Sequence, residues 1–328
     1  MEPKELMDSL SAVCVILFTP FNEKDEVDED GLRQNIRFIL EKSKGHTEKL
    51  VFIVNGSMSE FYALTEEEQK KVIKIAVDEV GGKVPVIAGT GHSGTKPALR
   101  MSKYAEEVGA DGVMVVLPYY LTPCTEGMYM HYKTIAEGIN IGVILYNNLD
   151  ATKAHVDPEL MSRIAEIPNL VGLKENSTNL AIIRKMMKLE YEGKLKVMIG
   201  KGEFWYAASI PFGCSSFATC LANFYPEFSL DLLKAGRSGD VETAWKLIEE
   251  KFMPLQEFTE KLTKKRVTTS VLPPQLTRSY VYLAVRKAVM PLVGLSGGKT
   301  RLPIMPITEE EKQELKMVLE RIGLSVQG

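Results

Sequence analysis

Asn169-Leu170-Val171-Gly172-Leu173-Lys174-Glu175-Asn176-Ser177 is an apolar run of strand type that stops on a lysine. A polar turn follows, and a helix-like pattern begins at Asn179. A lysine that closes a hydrophobic strand is badly placed for the solvated role most lysines have. Held in a poorly hydrated pocket, its amine would lose its proton more readily and become nucleophilic. A Schiff-base enzyme needs such an amine. The plainer alternative is a lysine that emerges into water, because strands commonly end on charged residues.

The same strand-then-helix beat recurs along the chain. Apolar runs of strand type lie at Val13–Phe18, Leu50–Val54, Val84–Ala88, Gly112–Val116, Ile141–Tyr146, Leu170–Lys174, Leu195–Ile199 and Cys214–Ala218. Helix patterns follow each: Asp28–Leu40 with Asp28 as N-cap, then one opened by a Thr65/Glu68 capping box, and Lys96–Glu107. The rest begin near Glu126, at Pro158 after Asp157, at Asn179 (running to about Tyr191), at Glu203 and at Pro226. Eight near-continuously apolar strands, each followed by a helix, predict parallel pairing with both faces covered. Eight consecutive units favour a closed (β/α)8 TIM barrel over a doubly wound sheet; such a barrel takes roughly 250 residues. The class is α/β, with the barrel over residues 1–236 and a C-terminal all-helical extension over 237–328 packed on it. The extension reads as helices at Glu242–Lys251, Ser279–Leu292 and Thr308–Gly323, with a long connection at Val267–Pro274.

Composition narrows the function. The chain has 328 residues, 45% hydrophobic and 25% charged, with a net charge of -3, so no basic surplus suggests nucleic acid. No apolar run is long enough to span a membrane. The segment Met1–Glu5 lacks the apolar core of a signal peptide, so a cytoplasmic protein is expected. Cys14, Cys124, Cys214 and Cys220 form no CxxC pair, and Cys14 is expected in the core. His46, His92, His131 and His155 show no metal-binding spacing, so neither metal nor cofactor is expected.

In a (β/α)8 barrel the active site forms at the C-terminal ends of the strands. There the sequence places Asn55-Gly56-Ser57-Met58-Ser59-Glu60, Gly89-Thr90-Gly91-His92, Pro118-Tyr119-Tyr120, Tyr146-Asn147-Asn148 and Lys174-Glu175-Asn176. Lys174 would attack a ketone carbonyl to form an imine, an electron sink that lets the neighbouring carbon lose a proton or break a carbon–carbon bond. Tyr146 would carry protons. Successive amides of the Gly56-Ser57-Met58 turn would cradle a carboxylate. Taken singly, a strand-end aromatic such as Tyr146 is more often rim packing than catalytic, the turn reads also as an ordinary tight turn, and His92 reads as a polar rim residue.

The ordered set Thr19-Pro20-Phe21, Gly56-Ser-x-x-Glu60, Gly89-Thr-Gly91, Pro118-Tyr119-Tyr120, Leu145-Tyr146-Asn147 and Gly172-Leu173-Lys174 resembles the dihydrodipicolinate synthase / N-acetylneuraminate lyase family of Schiff-base pyruvate aldolases. The resemblance covers essentially the whole chain, including Arg301-Leu302-Pro303 and the tail. It implies that Lys174 forms the imine, that Tyr146 is its proton shuttle, and that Ser57 is the first hydroxyl of the carboxylate-binding turn. It also implies that Tyr120 reaches a neighbouring subunit's site in a homo-oligomer, a tetramer or dimer. Gly56, Met58, Ser59, Asn147 and Phe217 are the expected substrate-binding set. The chain departs from the family in three places. Met58 and Ser59 stand where a second hydroxyl and a glycine are usual. Ala151 stands where synthases carry an arginine for the second substrate's carboxylate. Cys214-Ser215-Ser216 follows Gly213 where a second glycine is usual. A lost hydrogen bond to a charged group is worth about 1.5–3 kcal/mol, enough to weaken pyruvate binding without forbidding it.

The leading expectation is a class I lyase that cleaves or condenses a 2-oxo acid, pyruvate first, with an aldehyde. A dehydratase or hydratase-aldolase would use the same imine and expel water. A reading from a different class is a non-catalytic barrel that binds a metabolite or partner; Met58, Ser59 and Ala151 motivate it, and the pairing of Lys174 with Tyr146 argues against it.

Overall fold

The computed structural model of the chain describes residues 1–266, 269 and 281–327. Among these, eight parallel strands close into a barrel in chain order, and the last pairs with the first. They are β1 (Val13–Ile16), β2 (Leu50–Val54), β3 (Val86–Gly89), β4 (Gly112–Val116), β5 (Gly142–Asn147), β6 (Leu170–Glu175), β7 (Lys196–Ile199) and β8 (Phe217–Thr219). Nearly every strand residue is buried, as expected for strands covered on both faces. The eighth strand is later and shorter than the sequence suggests: Cys214–Ser216 only lead into it.

A short helix, α1 (Pro3–Ser9), precedes β1. Leu6 lies against Gly112 and Gly142, and Leu10 against Gly172; a Cβ on any of these glycines would come within 2.4–2.9 Å of the leucine methyls. The glycines therefore leave room for α1 under β4, β5 and β6, and the N-terminal end of the barrel is plugged by apolar side chains. The outer layer holds α2 (Glu29–Lys42), α3 (Glu66–Val80), α4 (Thr95–Glu107), α5 (Thr125–Glu137), α6 (Leu149–Thr152), α7 (Pro158–Ile164), α8 (Leu180–Tyr191), α9 (Glu203–Ser209) and α10 (Pro226–Arg237). Their starts follow local chemistry. Asp28, Thr65, Asp157 and Asn179 each accept a backbone N–H of the first turn, and Thr65 with Glu68 forms the capping box.

The tail runs through α11 (Val241–Leu247), a π-helical turn (Ile248–Phe252), α12 (Met253–Lys265), α13 (Val281–Leu292) and α14 (Glu309–Arg321). The helix expected to end at Lys251 thus continues to Lys265. Pro254 falls in the first turn after the π segment, where a missing N–H does not break the run. The connection expected at Val267–Pro274 lies outside the described residues, Thr269 excepted. Buried Arg286 on α13 ties the tail together, donating to Leu255 O, Gln256 Oε1 and Thr259 Oγ1 of α12. No described helix is long and apolar enough to cross a membrane.

Candidate active site

Strand register brings the two leading residues together. Tyr146 on β5 pairs with Lys174 on β6, which pairs in turn with Met198 on β7. Lys174 is fully buried, and its Nζ lies 4.0 Å from the centroid of the Tyr146 ring. On the far side of the lysine sits Gly200. A Cβ there would lie 3.0 Å from Lys174 Cγ and 2.0 Å from Asn176 Oδ1, so this position has room only for glycine. Asn176 continues the same face: its Nδ2 donates to Asn148 Oδ1 at 3.1 Å and lies 3.4 Å from the Tyr146 hydroxyl. Its Oδ1 has no hydrogen-bond partner among the described residues.

Beside Tyr146 is a small, partly open cavity, lined at the β2 end by Asn55, Gly56 and Ser57 and by apolar Met114 and Val116 of β4.

The turn after β2 is a single 3-10 turn, Ser57–Ser59. The Ser59 hydroxyl organises it, accepting from Gly56 N at 3.1 Å and donating to Leu17 O at 2.6 Å. The amides of Ser59 and Glu60 close back on Gly56 O and Ser57 O at 3.0 and 3.2 Å. The amides of Ser57 and Met58 take no part in these bonds, as at any helix start. Ser57 is half-buried and lines the cavity, whereas the Met58 and Ser59 side chains are buried away from it. Gly56 lines the cavity, but its N–H is spent on Ser59.

Two other expected binding residues face elsewhere. Asn147 pairs with Glu175 on the opposite face of the sheet from Tyr146 and Lys174. Its Nδ2 donates to Val156 O and Glu175 Oε2, both at 2.9 Å, and its Oδ1 accepts from Val156 N at 3.1 Å. It splices the loop after β5 onto β6. Phe217 pairs with Val13 and Ile199 and stacks on Tyr206 of the outer helix α9, with centroids 4.5 Å apart. It belongs to the packing between barrel and helices. Tyr120 follows β4 and is 83% exposed, outside the cavity of its own chain. His92 is an exposed rim residue that accepts from Gly94 N.

Glu175 is the buried acid behind the site. Burial pushes its carboxyl up to about 7, against the Asn147 amide and the Ser177 and Asn176 backbone N–H groups that favour the anion. Burial also holds the Cys14 thiol, inside the barrel below Lys174, up at about 12, so it stays a core thiol. Among the described residues no group of three or more His, Cys, Asp or Glu is placed to hold a metal ion.

The model of the dihydrodipicolinate synthetase family matches residues 9–322. The chain belongs to this family. It is 33% identical over 323 residues to the 4-hydroxy-tetrahydrodipicolinate synthase of Methanopyrus kandleri, covering 97% of this chain and 98% of that one. It is 34% identical over 310 residues to the enzyme of the same name from Syntrophus aciditrophicus, covering 94% and 97%. The solved dihydrodipicolinate synthase of Oceanobacillus iheyensis superposes with a TM-score of 0.83 at 27% identity, covering 97% and 98%. The protein is thus a lyase of the dihydrodipicolinate synthetase family. The sequence sets Asn55 and Asn176 at the barrel mouth without giving either a role, and does not single out Met114, Val116 or Gly200. Period-two alternation from Lys174 to Asn176, and from Ile53 to Asn55, is the signal that points to the two asparagines.

Proposed function

We propose that the protein is a class I lyase that condenses a 2-oxo acid, pyruvate first, with an aldehyde, or cleaves the adduct, through an imine on Lys174. The observation that carries this is the buried Lys174 amine, set against the Tyr146 ring beside a small cavity at the barrel mouth. Attack of the neutral amine on the oxo carbon and loss of water gives the imine, and a site without bulk water favours the neutral amine. The protonated imine then accepts the electrons left when C3 loses a proton, or when its bond to the aldehyde carbon breaks. Tyr146, joined to Asn176, is the proton carrier. The Ser57 hydroxyl and the Ser57 and Met58 amides receive the carboxylate.

The relatives named 4-hydroxy-tetrahydrodipicolinate synthase support an oxo acid condensing with an aldehyde. The aldehyde itself is a separate matter. Exposed Ala151, on α6, stands where the resemblance places the arginine for the second carboxylate. Tyr120, exposed in one chain, serves a neighbouring subunit in a homo-oligomer. Replacement of Lys174 tests the reading. Lys174→Ala should abolish pyruvate-dependent turnover across a panel of aldehydes while leaving the cooperative melt in place. Turnover that persists in the variant rules out the imine.

A further inference from the structure

We propose that Lys287, on tail helix α13, is a positioning residue for the turn at Gly56–Ser59, so that the helical tail sets the affinity of the barrel mouth for its oxo acid. The inference rests on the reading of that turn given above.

The turn is closed by Glu60, which is fully buried and holds a left-handed backbone (φ 59°) uncommon for a residue with a side chain. One carboxylate oxygen accepts from Lys287 Nζ, and the other accepts from Arg301 N at 2.9 Å. Lys287 is equally buried and also donates to Thr19 O at 2.9 Å. The hydroxyl of Thr19 donates to Ser59 O at 2.8 Å, and Ser59 holds Gly56 N. A chain of bonds among buried groups therefore runs from α13 through Thr19 and Glu60 to the residues that line the cavity. The Phe21 ring seals it, with Lys287 Nζ at 4.3 Å and the Arg301 guanidinium carbon at 4.2 Å from its centroid.

Two consequences follow from burying a charge here. A carboxylate in a dry interior is costly without its cation, so losing Lys287 forces Glu60 to move, and the turn moves with it. An uncompensated Glu60 also repels an anion at the neighbouring amides. Both raise the oxo-acid concentration needed for saturation. Neither touches Lys174 or Tyr146, so the chemical step survives. Nothing in the barrel's own beat supplies this cation: it comes from 227 residues away in sequence.

The test compares Lys287→Met and the double variant Glu60→Gln/Lys287→Met with the wild type in two readouts. The first is pyruvate half-saturation against kcat. The second is hydrogen exchange in ligand-free protein over residues 55–61. Lys287→Met should raise half-saturation by about tenfold or more, leave kcat little changed, and speed exchange in the turn but not in α4. The double variant, with no buried charge, should melt near the wild type and recover part of the affinity, while its turn still exchanges faster for want of the bond to Thr19. If Lys287→Met does not fold, the double variant alone carries the test. A folded variant with wild-type half-saturation and wild-type exchange overturns the proposal. If the wild type shows no pyruvate dependence, the reading of the site fails and the exchange readout still decides the latch.

Discussion

Tyr146 and Lys174 stand at the same level of adjacent strands, with the lysine Nζ 4.0 Å from the centre of the tyrosine ring. The ring walls the cavity and its hydroxyl lies near Asn176. Tyr146→Phe keeps the wall and removes the proton carrier. Turnover should fall by about 10²–10⁴-fold, with pyruvate half-saturation nearly unchanged. Steady-state kinetics check this; a change within measurement error would reduce Tyr146 to packing.

Ser57 is the turn hydroxyl that lines the cavity, whereas the Ser59 hydroxyl is consumed by Gly56 and Leu17. Ser57→Ala should weaken oxo-acid binding by about 10- to 100-fold, the worth of one hydrogen bond to a charged group, without lowering the melting temperature. Ser59→Ala should do the reverse in emphasis. It loses about 1–3 kcal/mol of stability by leaving Gly56 N and Leu17 O unpaired, and affinity changes only as far as the turn loosens. Thermal melts and saturation curves on both variants separate the two roles.

Glu175 gives stability a pH dependence of definite sign. Its carboxyl is raised by burial from an ordinary 4.5 to about 7, so between these values the folded chain holds a proton that the unfolded chain releases. The contribution is complete below about pH 4.5 and is lost as pH rises through about 7, by about 3 kcal/mol at most. Glu175→Gln stays neutral throughout and should flatten this slope. Urea midpoints measured from about pH 5 to 8 decide it; parallel curves for variant and wild type would refute the assignment.

Phe217 and Asn147 are structural by their geometry. Phe217→Ala removes a ring stacked on Tyr206 and should cost about 3–5 kcal/mol of stability, while the folded fraction keeps wild-type pyruvate half-saturation. Denaturant melts and kinetics on the same preparation show both. A raised half-saturation without lost stability would return Phe217 to the substrate pocket.

The barrel was legible because its strands are buried on both faces, which turns each into an apolar run, and because caps such as Asp28, Thr65, Asp157 and Asn179 are local signals. Lys174 and Tyr146 were legible as strand-end residues for the same reason. The face each residue presents was harder to read. A run such as Gly142–Asn147 is apolar on both faces, so only register tells that Tyr146 looks in and Asn147 looks out. In β8, three residues are too few to show alternation, so nothing in the sequence tells that Phe217 faces Tyr206 of the outer layer. The role of α1 was hidden because just Leu6, Met7 and Leu10 stand out in a charged segment, and their partners are distant glycines. The Glu60–Lys287 pair joins residues whose spacing carries no periodic signal.

The most direct test of the imine is reductive trapping. The protein is incubated with pyruvate, reduced with borohydride, digested and mapped by mass spectrometry, with a known member of the family as positive control. An imine mechanism gives one stable adduct, on Lys174, that disappears in Lys174→Ala. An adduct on another lysine, or none with any 2-oxo acid of a panel while the control is labelled, would contradict it.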